Sequence, residues 1–311
     1  MIGINGFGRI GKNILRQTDL VSEINQPNCS LEEIFYMIKF DTLLGTFNEV
    51  ELIGDELFVR GHKINVYFER NLQNIPWTCQ IVIDCSGQFR TLETLEKHFN
   101  GKVQNVILSA PPKDQMPTII NGFNLWKNEP IISAGSCTTN CLIPLLDVFD
   151  KNFGIKTCHF LTVHAVTNSQ SVIDHRHQKD KRLGRDAHAN IIPTSTGASG
   201  MVDVFFPHLT GKIRGNSVRV PVENGSFLEV YLEVEKDLER EEVIDLLKNH
   251  EVIKISPHPL VSSDIKTKNE ICLIDLDLIK IYDKKRINLG VWYNNEGGYV
   301  HQLLEIVRKK S

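Results

Sequence analysis

The sequence has no long apolar run. None of its 311 residues falls in a stretch approaching the ~20 apolar positions that span a bilayer, which excludes a helical membrane protein. It also lacks a dominant charge of one sign. Lys and Arg number 35 against 38 Asp and Glu, for a net charge of −3, so electrostatic binding to nucleic acid or a membrane surface is not expected. Paired CxxC spacing is missing too. The seven cysteines (29, 79, 85, 137, 141, 158 and 272) are odd in number and scattered, which argues against a disulfide framework or a zinc ribbon. The chain opens directly on a strand pattern with no signal-peptide layout, so a cytoplasmic location is expected. There is no internal repeat or low-complexity tract. What remains is an ordinary globular composition, long enough for two domains that each bury a core.

Residues 1–17, MIGINGFGRIGKNILRQ, carry the first positive signal. A short apolar strand leads into Gly6-x-Gly8-x-x-Gly11 and an amphipathic helix follows, which is the context a dinucleotide fingerprint requires. Glycines let the backbone approach a pyrophosphate, and the helix start supplies N–H donors and positive potential. The fingerprint also predicts an acidic ribose ligand ~20 residues on, after the second strand. Gln26 stands there instead, and Glu23 falls inside the strand. Further α/β pattern follows: a helix over 31–40, a β-meander over 52–69, buried strands at 81–89 and 103–112, and a helix over 91–99. Apolar runs ending in small or polar residues suit a parallel sheet that binds ligand at its carboxyl edge.

The second signal is SAGSCTTNCLIPLLDVFD, residues 133–150. A buried strand turns into a helix whose first turn holds Cys137. Ser136 reads as N-cap, and the N–H groups and dipole there are expected to lower the thiol pKa. Cysteine is often just a small buried residue, but here the apolar run begins only at Leu142, which favours a nucleophile. Pro144, inside the helix, is expected to bend it. Of the eleven histidines, His164 at the end of the strand FLTVH is the best-placed base. His175, His177 and His188 lie in a basic loop over 175–190 and read as solvated, with no metal site. Past residue 136 the pattern turns to mostly antiparallel strands (156–170, 217–235, 271–293), with helices at 240–250 and 299–309. Hydroxyls and a guanidinium at strand ends (Thr138, Thr167, Ser169, Thr194, Ser195, Thr196, Arg219) make an oxyanion set.

Together these motifs resemble the phosphorying branch of one known family, the phosphorylating glyceraldehyde-3-phosphate dehydrogenases, over essentially the whole chain. The matches are INGFGRIG (4–11), SAP (109–111), SCTTNC (136–141), His164 with Thr167 and Gln170, IIPTSTGA (191–198), RVP (219–221) and WYNNEGGY (292–299). The resemblance implies an α/β fold: a Rossmann-type dinucleotide-binding domain (1–136 with 295–311) plus an α+β catalytic domain with a mostly antiparallel sheet (137–294). It implies oxidative phosphorylation of D-glyceraldehyde 3-phosphate to 1,3-bisphosphoglycerate. Cys137 would form a thioester, His164 would act as base, and NAD or NADP would take the hydride. Substrate phosphate would fall to Thr167, Ser169 and Arg219, and attacking inorganic phosphate to Ser136, Thr138, Thr196 and Gly197. Cofactor contacts would come from Asn5, Gly6, Gly8, Arg9, Ile10, Gln26, Arg70, Ser86, Ser109, Arg176 and Asn295. Loop 167–190 would pack between subunits of a homotetramer.

The sequence also departs from the family pattern. Gln26 replaces the usual aspartate and Arg176 a common proline, which together suggest relaxed cofactor choice with NADP accepted. The opposing reading leaves Arg176 in water and NAD bound more weakly. Ala165-Val166 replaces serine and tyrosine, Asn294 an aspartate, Gly297 a tryptophan, and PVENGS (221–226) a proline–asparagine pattern. Two alternatives follow from these changes. One is an erythrose-4-phosphate dehydrogenase that releases a free acid; the other is a non-catalytic binding paralogue.

Overall fold

The computed structural model describes residues 1–178 and 180–310, which cluster into two compact units. Unit 1 comprises residues 1–119, 125–135 and 303–311; unit 2 comprises 120–124 and 136–302.

Unit 1 holds an eight-stranded sheet. Its strands are β1 (Ile2–Asn5), β2 (Val21–Asn25), β3 (Val50–Ile53), β4 (Glu56–Val59), β5 (His62–Tyr67), β6 (Ile81–Asp84), β7 (Asn105–Leu108) and β8 (Ile131–Ser133). The order is β3-β4-β5-β2-β1-β6-β7-β8, parallel from β5 to β8 with an antiparallel meander at the other edge. The chain leaves β1 toward β2 on one side and later returns to β6 on the other. The carboxyl ends of β1 and β6 therefore flank the topological switch point where such sheets bind ligands. Helix α1 (Arg9–Gln17) starts there, and α2 (Leu31–Lys39) is closed by a Ser30–Glu33 capping box. Glu23, inside β2, is fully buried, and its carboxylate accepts from the N–H groups of Thr78 and Cys79. It is committed to the core.

Expected boundaries shift in four places. The helix over 91–99 resolves into α3 (Leu92–Leu95) and a 3-10 turn, Glu96–His98. The strands at 81–89 and 103–112 stop at Asp84 and Leu108, where small residues turn the chain toward the switch point. In the basic loop the structure adds a 3-10 turn, Lys181–Gly184. Helix α4 (Cys137–Phe153) runs on through Pro144, its apolar body buried on every side.

In unit 2, α4 packs on a seven-stranded sheet made of β9 (Ile155–His164), β10 (Ile192–Thr194), β11 (Ile213–Arg219), β12 (Ser226–Val234), β13 (Ile253–Ser256), β14 (Cys272–Tyr282) and β15 (Arg286–Tyr293). The order is β10-β11-β9-β12-β15-β14-β13, antiparallel except for the pairs β11–β9 and β14–β13. Sequence reading missed β10, β13, α5 (Ala198–Phe205) and α7 (Ser262–Ile265), all of four residues or fewer except α5, with too little pattern to read. Helices α6 (Arg240–Lys248) and α8 (Gly297–Lys310) close the fold.

Candidate active site

In unit 1, the expected cofactor residues Asn5, Gly6, Gly8, Arg9, Ile10, Gln26, Ser86 and Ser109 gather where β1, β2, β6 and β7 end. Gly6 takes φ +90, and a Cβ on it would lie 2.5 Å from the Ser86 backbone, so only glycine closes this turn. A Cβ on Gly8 would meet nothing within 4 Å. The turn is therefore tight beneath and open above, a cradle shaped for a group that touches backbone. Below it, buried Asp84 accepts from Asn5 Nδ2 at 2.7 Å, from the Ser86 N–H at 3.0 Å and lies 3.1 Å from His98 Nε2. The Ser109 N–H donates to the Asp84 carbonyl at 3.0 Å. Gln26 is also part of the turn, because its Oε1 accepts the Phe7 N–H at 2.7 Å. Arg70 donates to Asn28.

Asp41 was not foreseen as a site residue, since a lone aspartate after a helix carries no pattern. Its side chain is 1% exposed and holds both Arg9, at 2.8 Å, and Lys12. These two cations, and N–H donors from Leu43 and Leu44, keep its carboxyl far below the usual carboxylate range despite burial. Arg9 is thereby fixed at the start of α1, directly after Gly8.

A cleft beside Gln26 is lined by Asn28, Cys29, Glu32, Glu33, Tyr36 and Met37. Two carboxylates line it, and Arg70 donates to its lining residue Asn28.

The expected nucleophile Cys137 and the expected base His164 meet in unit 2. Ser136 caps α4 by accepting the Thr139 N–H at 3.1 Å, which sets Cys137 at the first helical position. Cys137 Sγ lies 3.4 Å from His164 Nε2, and His164 Nδ1 lies 2.7 Å from the Ala165 carbonyl. A proton on Nδ1 donated to that carbonyl leaves the Nε2 lone pair facing the thiol. Parallel pairing of β9 with β11 puts Arg219 directly opposite His164 in register. Its Nη1 contacts His164 Nδ1 and donates to the Ala165 carbonyl at 3.2 Å.

The expected low thiol pKa is not found. Burial pushes the Cys137 thiol up, and Arg219 and the Thr138 hydroxyl and backbone oppose this without reversing it. Cys137 is itself half-buried, and its polar neighbours Thr138, Thr139 and Asn140 are buried. Burial first, then Arg219, lowers His164 to about 3. The resting pair is therefore a thiol beside a neutral imidazole.

Tyr293 was quoted in the tail motif but assigned no task. It is fully buried, with its hydroxyl 2.7 Å from Thr162 Oγ1 and 3.1 Å from Thr138 Oγ1. Its ring stands edge-on to His164 with centroids 6.0 Å apart. The rest of the hydroxyl set bonds locally. Thr167 and Ser169 are 3.0 Å apart through their oxygens, Thr196 Oγ1 accepts the Ala198 N–H, and Gly197 precedes α5. Asn295 Oδ1 accepts from Ser226 at 2.9 Å. Arg176 is exposed, in a crevice with Ser169, Lys181, Arg182, Thr194 and Ser195. His175 and His177 bond within their own loop, to Ser171 and to the Asp180 N–H.

Three of the sequence departures form one cluster. Asn294 Nδ2 donates to the carbonyls of Ile265, Lys266 and Lys268, and its Oδ1 accepts from Asn224 of the PVENGS segment and from the Gly297 N–H. An aspartate could not make the first three bonds. A Cβ at residue 297 would already lie 3.0 Å from Asn294 Nδ2, so a large side chain there does not fit this arrangement.

Comparison with known proteins agrees with this geometry. Residues 1–92 match the family described as "Glyceraldehyde 3-phosphate dehydrogenase, NAD binding domain", and residues 136–295 match the corresponding C-terminal domain. The chain is 38% identical to glyceraldehyde-3-phosphate dehydrogenase 2 of Schizosaccharomyces pombe, over 98% of this chain and 96% of that protein. It is 35% identical to glyceraldehyde-3-phosphate dehydrogenase 2 of Bacillus subtilis, over 99% and 95% respectively. It is 36% identical to a protein of Gracilaria gracilis named as cytosolic, over 98% and 96%.

Proposed function

The chain belongs to the glyceraldehyde-3-phosphate dehydrogenase family, and from that premise we propose that it oxidises D-glyceraldehyde 3-phosphate to 1,3-bisphosphoglycerate with inorganic phosphate as acceptor. It is an oxidoreductase that uses NAD or NADP. The observation that carries the reading is the Cys137–His164 pair, 3.4 Å apart with the imidazole anchored through its other nitrogen.

The cradle over Gly8 fits a pyrophosphate, with Arg9 and Ile10 at the helix start beside it. Asn5, Gly6, Ser86 and Ser109 would shape the floor. Gln26 and Arg70 would flank the adenosine ribose, and Asn295 would orient the carboxamide. Bound there, the nicotinamide supplies the acceptor for hydride. The cleft at Gln26 sets Glu32 and Glu33 against the nearby cation Arg70, and the excess of like charge favours NAD over a 2′-phosphate. Arg176 of a neighbouring copy would counter that.

The remaining steps belong to side chains. Cys137 Sγ adds to the aldehyde carbon as its proton passes to His164 Nε2. His164 returns that proton to the new alkoxide, which completes the hemithioacetal, and with Nε2 free again takes the hydroxyl proton back as the carbon is oxidised to the thioester. Thr167, Ser169 and Arg219 hold the substrate ester. Ser136, Thr138, Thr196 and Gly197 receive the phosphate that cleaves the thioester.

We further infer a homotetramer in the cytoplasm, with a cofactor domain of 1–136 and 295–311 and a catalytic domain of 137–294. Val172, Ile173, Ile191 and Val204 are each at least 65% exposed, clustering in sequence about the loop assigned to subunit packing. Among the described residues, no helix is long and apolar enough to cross a membrane.

Nicotinamide reduction with glyceraldehyde 3-phosphate and with erythrose 4-phosphate, each with and without inorganic phosphate, tests the reading. Strict phosphate dependence with the triose supports it. Turnover without phosphate selects the acid-releasing alternative, and no turnover with either aldehyde selects a binding protein. Cys137→Ser should abolish the first-turnover burst.

A further inference from the structure

Ser226 opens β12, the strand paired with both β9 and β15, and stands beside the ends of the strands that carry His164 and Tyr293. It is fully buried and has two partners among the described residues. The Ala165 N–H donates to its Oγ at 3.1 Å, and Asn295 Oδ1 lies 2.9 Å from the same oxygen. A hydroxyl carries one proton and two lone pairs. A peptide N–H can only donate, so Ala165 occupies a lone pair. The proton is left with one acceptor, Asn295 Oδ1. Turning the Asn295 amide over would set Nδ2 against Ser226 and leave a buried hydroxyl proton with no acceptor, an arrangement that folded proteins avoid.

The same constraint decides what Asn295 shows on its other side. With Oδ1 committed to Ser226, the amide presents Nδ2, which bonds to no protein group among the described residues although Asn295 is only 7% exposed. Nδ2 can donate to a carbonyl oxygen and cannot accept from an amide nitrogen. The support behind Ser226 is firm. Ala165, whose N–H holds it, is also the residue whose carbonyl lies 2.7 Å from His164 Nδ1. Two residues before Ser226, Asn224 Nδ2 donates to Asn294 Oδ1 at 3.0 Å, so the segment 224–226 fixes both amides of the pair 294–295. Gly225 between them takes φ +85, and a Cβ there would lie 2.2 Å from the Ser262 carbonyl oxygen, which leaves the segment little room to shift.

We propose that Ser226 is a positioning residue for the cofactor: its hydroxyl sets the sense of the Asn295 amide, so that Nδ2 is the group offered to the nicotinamide carboxamide and the carboxamide oxygen is the atom it reads. This rests on the proposed function, which puts Asn295 at the carboxamide, and adds the residue that decides how Asn295 acts there. Ser226 works through Asn295 and not by contact with the cofactor. Without the hydroxyl, Asn295 is free to turn, and its oxygen would then face the carboxamide oxygen and repel it. The effect is confined to the nicotinamide end, because the cradle at Gly8 is built from other residues.

The test is calorimetric titration of the whole protein, freed of nucleotide, with NAD, with ADP-ribose and with the 3-acetylpyridine analogue of NAD. ADP-ribose has no nicotinamide, and the analogue keeps the ring carbonyl but carries a methyl in place of the amide nitrogen. The wild type should bind the analogue nearly as tightly as NAD, because the carbonyl is what Asn295 reads. An analogue bound only as weakly as ADP-ribose would turn Oδ1 toward the cofactor and overturn the proposal. Ser226→Ala should cut the advantage of NAD over ADP-ribose about tenfold, the size of one neutral hydrogen bond, and leave ADP-ribose binding unchanged. Adding Asn295→Ala should then cost little more, since the two residues act as a unit. An unchanged advantage in Ser226→Ala overturns the proposal, as does an equal loss for both ligands, which a merely structural role would give. If the variant does not fold, the wild-type comparison with the analogue decides alone. No aldehyde is present, so a chain that binds as expected but turns over neither aldehyde would keep this role for Ser226 while removing the proposed substrate.

Discussion

The hydroxyl of Tyr293 bridges two threonines that are far apart in the chain, Thr162 at 2.7 Å on β9 and Thr138 at 3.1 Å in the first turn of α4. It ties the helix that carries Cys137 to the strand that carries His164. Tyr293→Phe removes both bonds and strands two buried hydroxyls, so a loss of ~1–3 kcal/mol is expected in urea unfolding. Adding Thr162→Val should recover part of it, because one stranded hydroxyl goes too. A double variant less stable than the single one would refute this account.

Acid should weaken the fold through His164. Its folded value of about 3 lies below the ordinary 6.5, so between these values the unfolded chain holds a proton that the folded chain refuses. The stabilisation is complete above the unfolded value and is lost as pH falls through the window toward 3. Asp41, whose carboxyl is also depressed, contributes in the same direction but at lower pH, within and below the carboxylate range. Urea midpoints from neutral pH to about 4 should fall less steeply in His164→Gln than in the wild type. Equal slopes would show that His164 is not held neutral.

Gly6 and Gly8 should fail in different ways. Gly6→Ala forces a side chain into φ +90 and to 2.5 Å from the Ser86 backbone, so a stability loss of ~1–3 kcal/mol is expected. Gly8 has φ −87 and open space above it, so Gly8→Ala should unfold at the wild-type temperature. Its methyl group would instead occupy the cradle. Calorimetric titration with NAD should show weakened binding at an unchanged melting point; unweakened binding would place the pyrophosphate elsewhere.

The cleft at Gln26 should prefer NAD to NADP, since Glu32 and Glu33 line it. Glu33 also closes the Ser30 capping box, so Glu32 is the residue to change. Glu32→Lys should narrow the ratio of the two dissociation constants about tenfold, a plausible size for reversing one nearby charge. A wild-type preference for NADP would mean that Arg70 or Arg176 outweighs both carboxylates.

Much of the site was legible because its chemistry is local. The glycine turn, the helix-start cysteine and the strand-end histidine each depend on a few consecutive residues; the structure closes the turn tightly at Gly6 and puts the Cys137 sulfur 3.4 Å from His164 Nε2. Asp41 and Tyr293 were not legible. Each acts through partners 29 or more residues away, and a lone carboxylate or phenol has no spacing to betray it. The thiol was misjudged for a related reason. Helix-terminus effects can be read from the local sequence, whereas burial depends on what the rest of the chain packs around the sulfur. The scattered departures at Asn224, Asn294 and Gly297 likewise look unrelated in sequence and are one hydrogen-bonded unit in space.

The Thr138–Tyr293 bond also bears on the order in which the protein can become active. Its ends are 155 positions apart, and the sheet row that carries Tyr293 is the last strand to be synthesised. Contacts of such separation form late, because the intervening chain must be ordered first. A nascent chain still attached to the ribosome, with its cysteine and histidine already made, would therefore hold them without this tether. During biosynthesis, thiol reactivity of the wild-type kind should emerge only after the final strand has left the exit tunnel.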